Sequence, residues 1–292
     1  MPENKLLCLG FGYTARFFAD RLREQGWRIA GTTRSQDRLQ ALRDQSLEAL
    51  HWQGGAVDPS WLGDVDALLI STPPSEEGCP SFIAASEAIA KRAKQFRWIG
   101  YLSTNGVYGD HDGAWVDETS ELRAASPRAL RRIDAEKSWE ALAAQHGLPL
   151  IVFRLPGIYG PGRSAIDTVR EGKAKRIYKE GQVFSRMHVE DIAAALNASM
   201  EKPLLHSLYN LADDEPAPPQ DVIEYACKLL SVDPPPLIPL EEADLSPMAK
   251  SFYADNKRVS NQRLKDALGF ELRHPTYREG LDAIFALEKG AA

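Results

Sequence analysis

The stretch Lys5-Leu-Leu-Cys-Leu-Gly-Phe-Gly-Tyr-Thr-Ala15 decides the fold. Leu6 to Leu9 form a short apolar run of the kind that makes a buried strand. Ala15, Phe18, Ala19 and Leu22 then recur at the i, i+3, i+4, i+7 spacing of one helix face. Between strand and helix stands Gly10-x-Gly12-x-x-Ala15. Gly10 permits a tight turn, Gly12 lets a pyrophosphate come against the backbone, and Ala15 is small enough for the helix to lie close on the strand. The free amides that open such a helix attract phosphate. Gly10, Phe11, Gly12, Tyr13 and Thr14 are therefore the first cofactor-binding candidates.

Reading outward, Trp27 to Thr33 is a second strand, and it ends at Arg34, with Arg38 soon after. The cofactor ribose belongs at this strand end. An acidic side chain there would hold the 2′-hydroxyl of NAD, whereas arginine pairs with the 2′-phosphate of NADP, so Thr33 and Arg34 join the site and NADP is favoured over NAD. A helix over Ser35 to Asp44, a weak strand over Leu47 to Trp52 and a strong one over Val65 to Thr72 follow, the last stopped by Pro73 and Pro74. Ser71 and Thr72 stand at its C-terminal end, where ligands of doubly wound sheets lie. Ser81 to Phe96 reads as a helix and Trp98 to Ser103 as a fifth strand. Strands and helices that alternate in this way predict an α/β fold, a doubly wound parallel sheet with helices on both faces.

The 292 residues suffice for one large α/β domain with a smaller appendage, and 43% hydrophobic with 26% charged residues suits a globular chain. A formal net charge of -6 with no basic tail argues against nucleic-acid binding. Neither a membrane span nor a signal sequence is visible, so a cytoplasmic protein is expected. Cys8, Cys79 and Cys227 are far apart and form no CxxC pair, and no metal-ligand spacing is found. The three cysteines read as packing residues.

The fifth strand opens into Ser103-Thr-Asn-Gly-Val-Tyr-Gly109. Later come Phe153-Arg-Leu-Pro-Gly-Ile-Tyr-Gly-Pro-Gly162, Arg186-Met-His-Val-Glu-Asp191 ahead of an alanine-rich helix, and Tyr209-Asn-Leu-Ala212. In this order they resemble the extended short-chain dehydrogenase/reductase group, the NAD(P)-dependent epimerase and dehydratase relatives, and within it a short, atypical branch. The resemblance covers nearly the whole chain. It implies a Rossmann-type domain over residues 1–156, to which 183–211 returns, and a smaller substrate-covering region over 157–292. It also implies a small-molecule substrate and a homodimer through the helices at 81–96 and 128–145.

Residue by residue, the resemblance makes Thr104, four before Tyr108, the hydroxyl that holds the reacting oxygen, and places Ser103, Pro156 and Gly157 against the cofactor. Lys137 matches the family lysine that holds the nicotinamide ribose. The tyrosine acid/base expected four residues earlier is replaced by Ile133, which can neither give nor take a proton. Tyr108, Tyr159, His188 or a water relayed through Thr104 are the available substitutes. The glycine turn also departs from the usual GxxGxxG of the group, since Leu9 stands in the first place. Three readings follow: an NADP-dependent oxidoreductase acting on a small carbonyl or alcohol, a nucleotide-sugar epimerase or dehydratase, and a catalytically silent NADP-binding redox sensor.

Overall fold

A computed structural model of the chain describes residues 4–202 and 207–290. The first elements are β1 (Lys5–Leu9), α1 (Tyr13–Arg23), β2 (Arg28–Thr33), α2 (Gln36–Asp44), β3 (Glu48–His51), β4 (Ala67–Ile70), α3 (Pro80–Lys91) and β5 (Trp98–Thr104). The middle of the chain forms β6 (Trp115–Val116), α4 (Pro127–His146), β7 (Leu150–Leu155), β8 (Gly157–Tyr159), α5 (Ala165–Arg170), β9 (Arg176–Tyr178) and β10 (Arg186–His188). The remainder is α6 (Val189–Glu201), β11 (Leu208–Asn210), α7 (Pro219–Leu230), β12 (Leu237–Pro239), α8 (Pro247–Phe252), β13 (Arg258–Val259), α9 (Gln262–Leu268) and α10 (Tyr277–Gly290).

Seven strands make the central sheet, in the order β11-β7-β5-β4-β1-β2-β3. The α/β, doubly wound parallel sheet expected from the sequence is present: Leu7 lies opposite Ala30 on one side and Leu68 on the other, both in parallel register. The chain winds outward from β1 in one direction and from β4 in the other, so the order reverses between these two strands, where such sheets bind ligands. Every residue of β1, β4 and β7 is buried. Helices cover both faces of a parallel sheet, which is why these strands read as continuous apolar runs rather than alternating ones.

Two compact units are distinguished. Unit 1 comprises residues 1–104, 127–154 and 192–209; unit 2 comprises 105–126, 155–191 and 210–292. Relative to a division at 156, unit 2 also takes in 105–126, and the return to the first unit starts at Ile192. In unit 1 a line of rings joins helix to sheet, with Phe18, Trp98 and Phe153 at centroid spacings of 5.6 and 6.1 Å and Tyr209 stacked 6.2 Å beyond Phe153. The opposite face of the sheet packs Ile70, Ile99 and Tyr101 with Ile89 of α3 and Trp139 of α4.

Unit 2 is built from short parallel pairs, β8 with β10, β9 with β12 and β6 with β13. Its apolar cluster joins Ile166 of α5, Ala226 of α7 and Tyr277, Leu281 and Ile284 of α10. Of the segment 183–211 expected to complete the main sheet, β11 does so and β10 does not. The edge bonds of β10 are taken up within unit 2, where Met187 lies opposite Ile158 and Arg186 O accepts from Asp213 N at 2.7 Å. Among the described residues no helix is long and apolar enough to cross a membrane.

Candidate functional site

The C-terminal ends of β2, β1, β4 and β5 lie side by side in unit 1, and the glycine turn sits among them. Gly10 has φ +91, a left-handed conformation open to glycine. A Cβ there would stand 3.0 Å from both Ser71 Oγ and Thr72 Cγ2. Its N–H donates to Thr32 Oγ1 at 2.7 Å, and its carbonyl accepts from the Ser71 hydroxyl. The next residue, Phe11, donates its N–H to Thr32 O at 2.9 Å, so the turn is stitched to the strand ends on both sides.

Gly12 is different. A Cβ added there would meet nothing within 4 Å, and α1 starts without any side-chain cap on its first amides. Open space at a helix start that no side chain caps fits the pyrophosphate of a dinucleotide. Thr14 is buried at the start of the helix, while the Tyr13 ring packs 5.1 Å from Phe17.

At the ribose end, Thr33 is buried and its hydroxyl accepts from Ser35 N at 3.2 Å. Arg34 is exposed. Arg38, one turn into α2, donates from Nη2 to Phe11 O at 3.1 Å. The structure thus adds a second guanidinium to the one that sequence reasoning singled out, and ties it to the glycine turn. The Ser35 cap that accepts from Arg38 N was the signal available, because it sets the helix start and with it the direction of Arg38. On the other side of the turn, Thr72 Oγ1 lies 2.5 Å from Ser81 Oγ of α3.

The end of β5 carries Ser103 and Thr104. Thr104 is half-buried. Ser103 is buried, and its hydroxyl donates to Glu136 of α4. The Glu136 carboxylate in turn takes two bonds at Oε2 from Arg154 of β7, 2.7 Å from Nη2 and 3.2 Å from Nε. Both members of this pair are at most 5% exposed. Ala129, Ile133 and Glu136 share the inward face of α4, whereas Lys137 is exposed. Arg132, at the site's edge, donates from Nη1 to Leu102 O at 2.8 Å. Sequence reasoning passed over Glu136 in favour of its neighbour Lys137. The available signal was a carboxylate at i+7 on an apolar face, a position that demands a buried cation such as Arg154.

The remaining candidates lie in unit 2. Pro156 is half-buried and Gly157 exposed at the start of β8, where Gly157 N donates to Ser185 O at 3.2 Å. Tyr108 is buried and donates to Asn210 Oδ1 at 2.7 Å. Tyr159 donates to Thr276 O at 3.3 Å, and burial pushes its hydroxyl well above the ordinary phenol range. His188 is buried and pushed down to about 4, first by burial and next by His274.

His188, Glu190 and His274 form a cluster that no sequence spacing disclosed. His188 Nδ1 accepts from Glu190 N at 3.3 Å, and His274 Nδ1 donates to Asp191 at 2.9 Å. Asp191 also accepts from Arg273 N and His274 N, so the group clamps the start of α6 to the segment ahead of α10.

Comparison with known proteins places these features in a family. The profile described as the NAD dependent epimerase/dehydratase family matches residues 84–212. Protein YeeZ of Escherichia coli K12 is 27% identical over 93% of this chain and 97% of its own length. A 3-diazoavenalumate denitrifying reductase from a Streptomyces species is 30% identical over 70% of this chain and 69% of its own. Among solved structures, a functionally unknown conserved protein from Silicibacter pomeroyi is 51% identical with a TM-score of 0.90, covering 98% of this chain and 99% of that one. The fold recurs in a dTDP-glucose 4,6-dehydratase from Bacillus anthracis solved in complex with NAD, at 17% identity and a TM-score of 0.76 over 99% of this chain and 97% of that one. With the glycine turn at the end of β1, the parallel seven-stranded sheet and these matches, the chain belongs to the NAD-dependent epimerase/dehydratase family.

Proposed function

We propose that this protein is an NADP-dependent oxidoreductase that transfers hydride to or from a small carbonyl or alcohol. The observation that carries the reading is the pair of arginines that follows β2, Arg34 directly after the strand and Arg38 in α2 with its guanidinium bonded to Phe11 O, next to an open Gly12. Arginine at this strand end favours a 2′-phosphate. The reductase among the relatives supports the reaction class.

In this reading the α1 amides and Gly12 hold the pyrophosphate, Arg34 and Arg38 hold the 2′-phosphate, and Lys137 reaches the nicotinamide ribose. NADPH, when bound, supplies the hydride that reduces the carbonyl carbon. Thr104 donates its hydroxyl to the substrate oxygen as that atom gains negative charge. With isoleucine at 133 the proton that completes the alcohol comes from solvent through the Thr104 hydroxyl. The homodimer expected through 81–96 and 128–145 belongs to the same reading, and Ile83 and Leu130 are exposed on those helices.

Titration with NADPH, NADP, NADH and NAD tests it, repeated on Arg34→Ala. NADPH should bind more tightly than NADH, and the substitution should weaken NADPH by about ten- to a hundredfold while sparing NADH. Equal affinity for NADH and NADPH, or no binding of any of the four, would overturn the reading. Ile133 favours one alternative, a sensor without turnover. That alternative requires different affinities for the oxidised and reduced cofactor, since only differential binding shifts a conformational equilibrium.

A further inference from the structure

We infer that unit 2 carries a binding site for a small monocarboxylate with a compact aromatic or branched apolar body, its carboxylate received by Arg186. The site is a half-open cavity of about 210 Å³ at the β8–β10 pair, lined also by residues of α5, α7 and α10. Its walls are apolar and aromatic, with Tyr159, Phe184, Val222, Tyr277 and Leu281, and Arg186 is the cation among its lining residues.

The charge of Arg186 is what asks for an anion. Its Nη2 donates to Ala217 O at 3.2 Å, and the guanidinium lies 5.5 Å from the centre of the Tyr277 ring. Nη1 is buried and has no hydrogen-bond partner among the described residues. Buried cations in proteins are ordinarily paired with an anion. The carboxylates around this one are committed elsewhere: Glu215 to Arg278, Glu224 to Arg176, Asp191 to His274 and Glu279 to Thr276. Asp213 and Asp221 are the carboxyls nearby that are not committed in this way; Asp213 is the strongest opposite charge acting on Arg186, yet its buried Oδ2 has no hydrogen-bond partner among the described residues, and neither carboxyl comes within 4 Å of the guanidinium. Burial pushes the Asp213 carboxyl up, against the opposing pull of Arg186, which weakens it as a counter-ion.

Size and polarity set the class of ligand. A volume of about 210 Å³ holds roughly seven to ten non-hydrogen atoms against these walls. A neighbouring hollow of about 380 Å³ shares Tyr159 and Ala165 but is lined by charges of both signs, Arg163 with Asp167 and Glu171, and by little apolar surface. One charged group against Arg186, with the rest of the molecule on aromatic and aliphatic walls, describes an aryl or branched-alkyl carboxylate. The site lies within unit 2 and does not depend on which cofactor unit 1 takes.

Benzoate, benzamide and inorganic phosphate, titrated calorimetrically into the full-length chain, test this directly, with NADPH titrated into the same samples. Benzoate should bind, and benzamide, which has the same shape without the charge, should bind about tenfold or more weakly. Arg186→Gln should weaken benzoate by a similar factor, and Val222→Phe, which fills the cavity and leaves the guanidinium, should do the same. Neither variant should alter the NADPH affinity. Equal binding of benzoate and benzamide, benzoate binding that both variants retain, or phosphate displacing benzoate as the tighter ligand would each overturn the proposal. So would wild-type protein that takes NADPH and not benzoate, an outcome that leaves the cofactor reading standing. NADPH failing while benzoate binds would do the reverse.

Discussion

Two arginines divide the molecule between them. Arg154 in unit 1 is buried and Arg186 in unit 2 is half-buried with its Nη1 out of water, but Arg154 lies in a fork against Glu136, whose other oxygen takes the Ser103 hydroxyl. Arg186 has one backbone carbonyl, a ring face, and a terminal nitrogen without a partner among the described residues. A satisfied buried charge holds strands and helices in register. An unsatisfied one holds free energy that a ligand can release. The contrast separates a group placed for architecture from one placed for recognition, and it can be broken from either side.

The largest effect is expected at Glu136. Glu136→Ala leaves Arg154 buried without its anion, which should cost about 3–5 kcal/mol in chemical denaturation. Replacing both by apolar residues, Glu136→Leu with Arg154→Met, should restore most of that loss, because the desolvation penalty disappears with the charges. A single variant within about 1 kcal/mol of wild type would show that the pair is not the satisfied end of the comparison.

His188 offers the next effect, of about 3 kcal/mol, through pH. Its folded value, about 4, lies below the ordinary 6.5, so the native state binds fewer protons between those values. Its contribution is therefore complete above pH 6.5 and is lost as pH falls toward 4. Asp213, raised from 3.8 to about 8, works the other way and removes stability as pH rises through that range. The two slopes oppose each other in mildly acid solution, so the wild-type curve conceals both. His188→Gln should make stability fall more steeply with rising pH between 4 and 6.5, and Asp213→Asn should make it rise. Superimposable pH profiles for the three proteins would remove the buried ionisable cluster as a feature that distinguishes unit 2.

The glycine turn gives a smaller and sharper pair. Gly10→Ala forces a side chain into a left-handed backbone beside Ser71 and Thr72, and should lower stability by about 1–3 kcal/mol. Gly12→Ala enters open space at an ordinary φ of -92, so it should fold like wild type yet bind NADPH about tenfold more weakly. If Gly12→Ala bound NADPH normally, the open space would not be the pyrophosphate cradle.

The sheet and this turn were legible in the chain because each rests on a local pattern: apolar runs, a glycine spacing, helix-face periodicity. What the sequence concealed depends on partners brought together from a distance. Glu136 reads as a surface residue until Arg154 is placed behind it, and Lys137, beside it, matched the family motif and drew the attention. Arg186 was visible only as the first residue of the stretch Arg186-Met-His-Val-Glu-Asp191. Its neighbours Tyr277 and Asp213 come from other elements, and nothing in their spacing foretells a guanidinium without an anion. Likewise β10 looked like a strand of the main sheet, and its pairing with β8 is decided by contacts within unit 2.

The smallest expected change is the one that bears most directly on the contrast. Arg186→Met keeps the length and the packing against Tyr277 while deleting the charge. Since the charge has no ion-pair partner to lose, its removal should shift stability by no more than about 1 kcal/mol, and in the stabilising direction if desolvation dominates. Urea denaturation at pH 7 measures this with the same method used for Glu136→Ala. A loss of several kcal/mol would mean that Arg186 is held by interactions as strong as those of Arg154, and the two arginines would then serve the same structural purpose. A small change or a gain, with Glu136→Ala strongly destabilised in parallel, would leave Arg186 as a charge that the folded protein tolerates rather than needs, as expected of a group kept for a ligand.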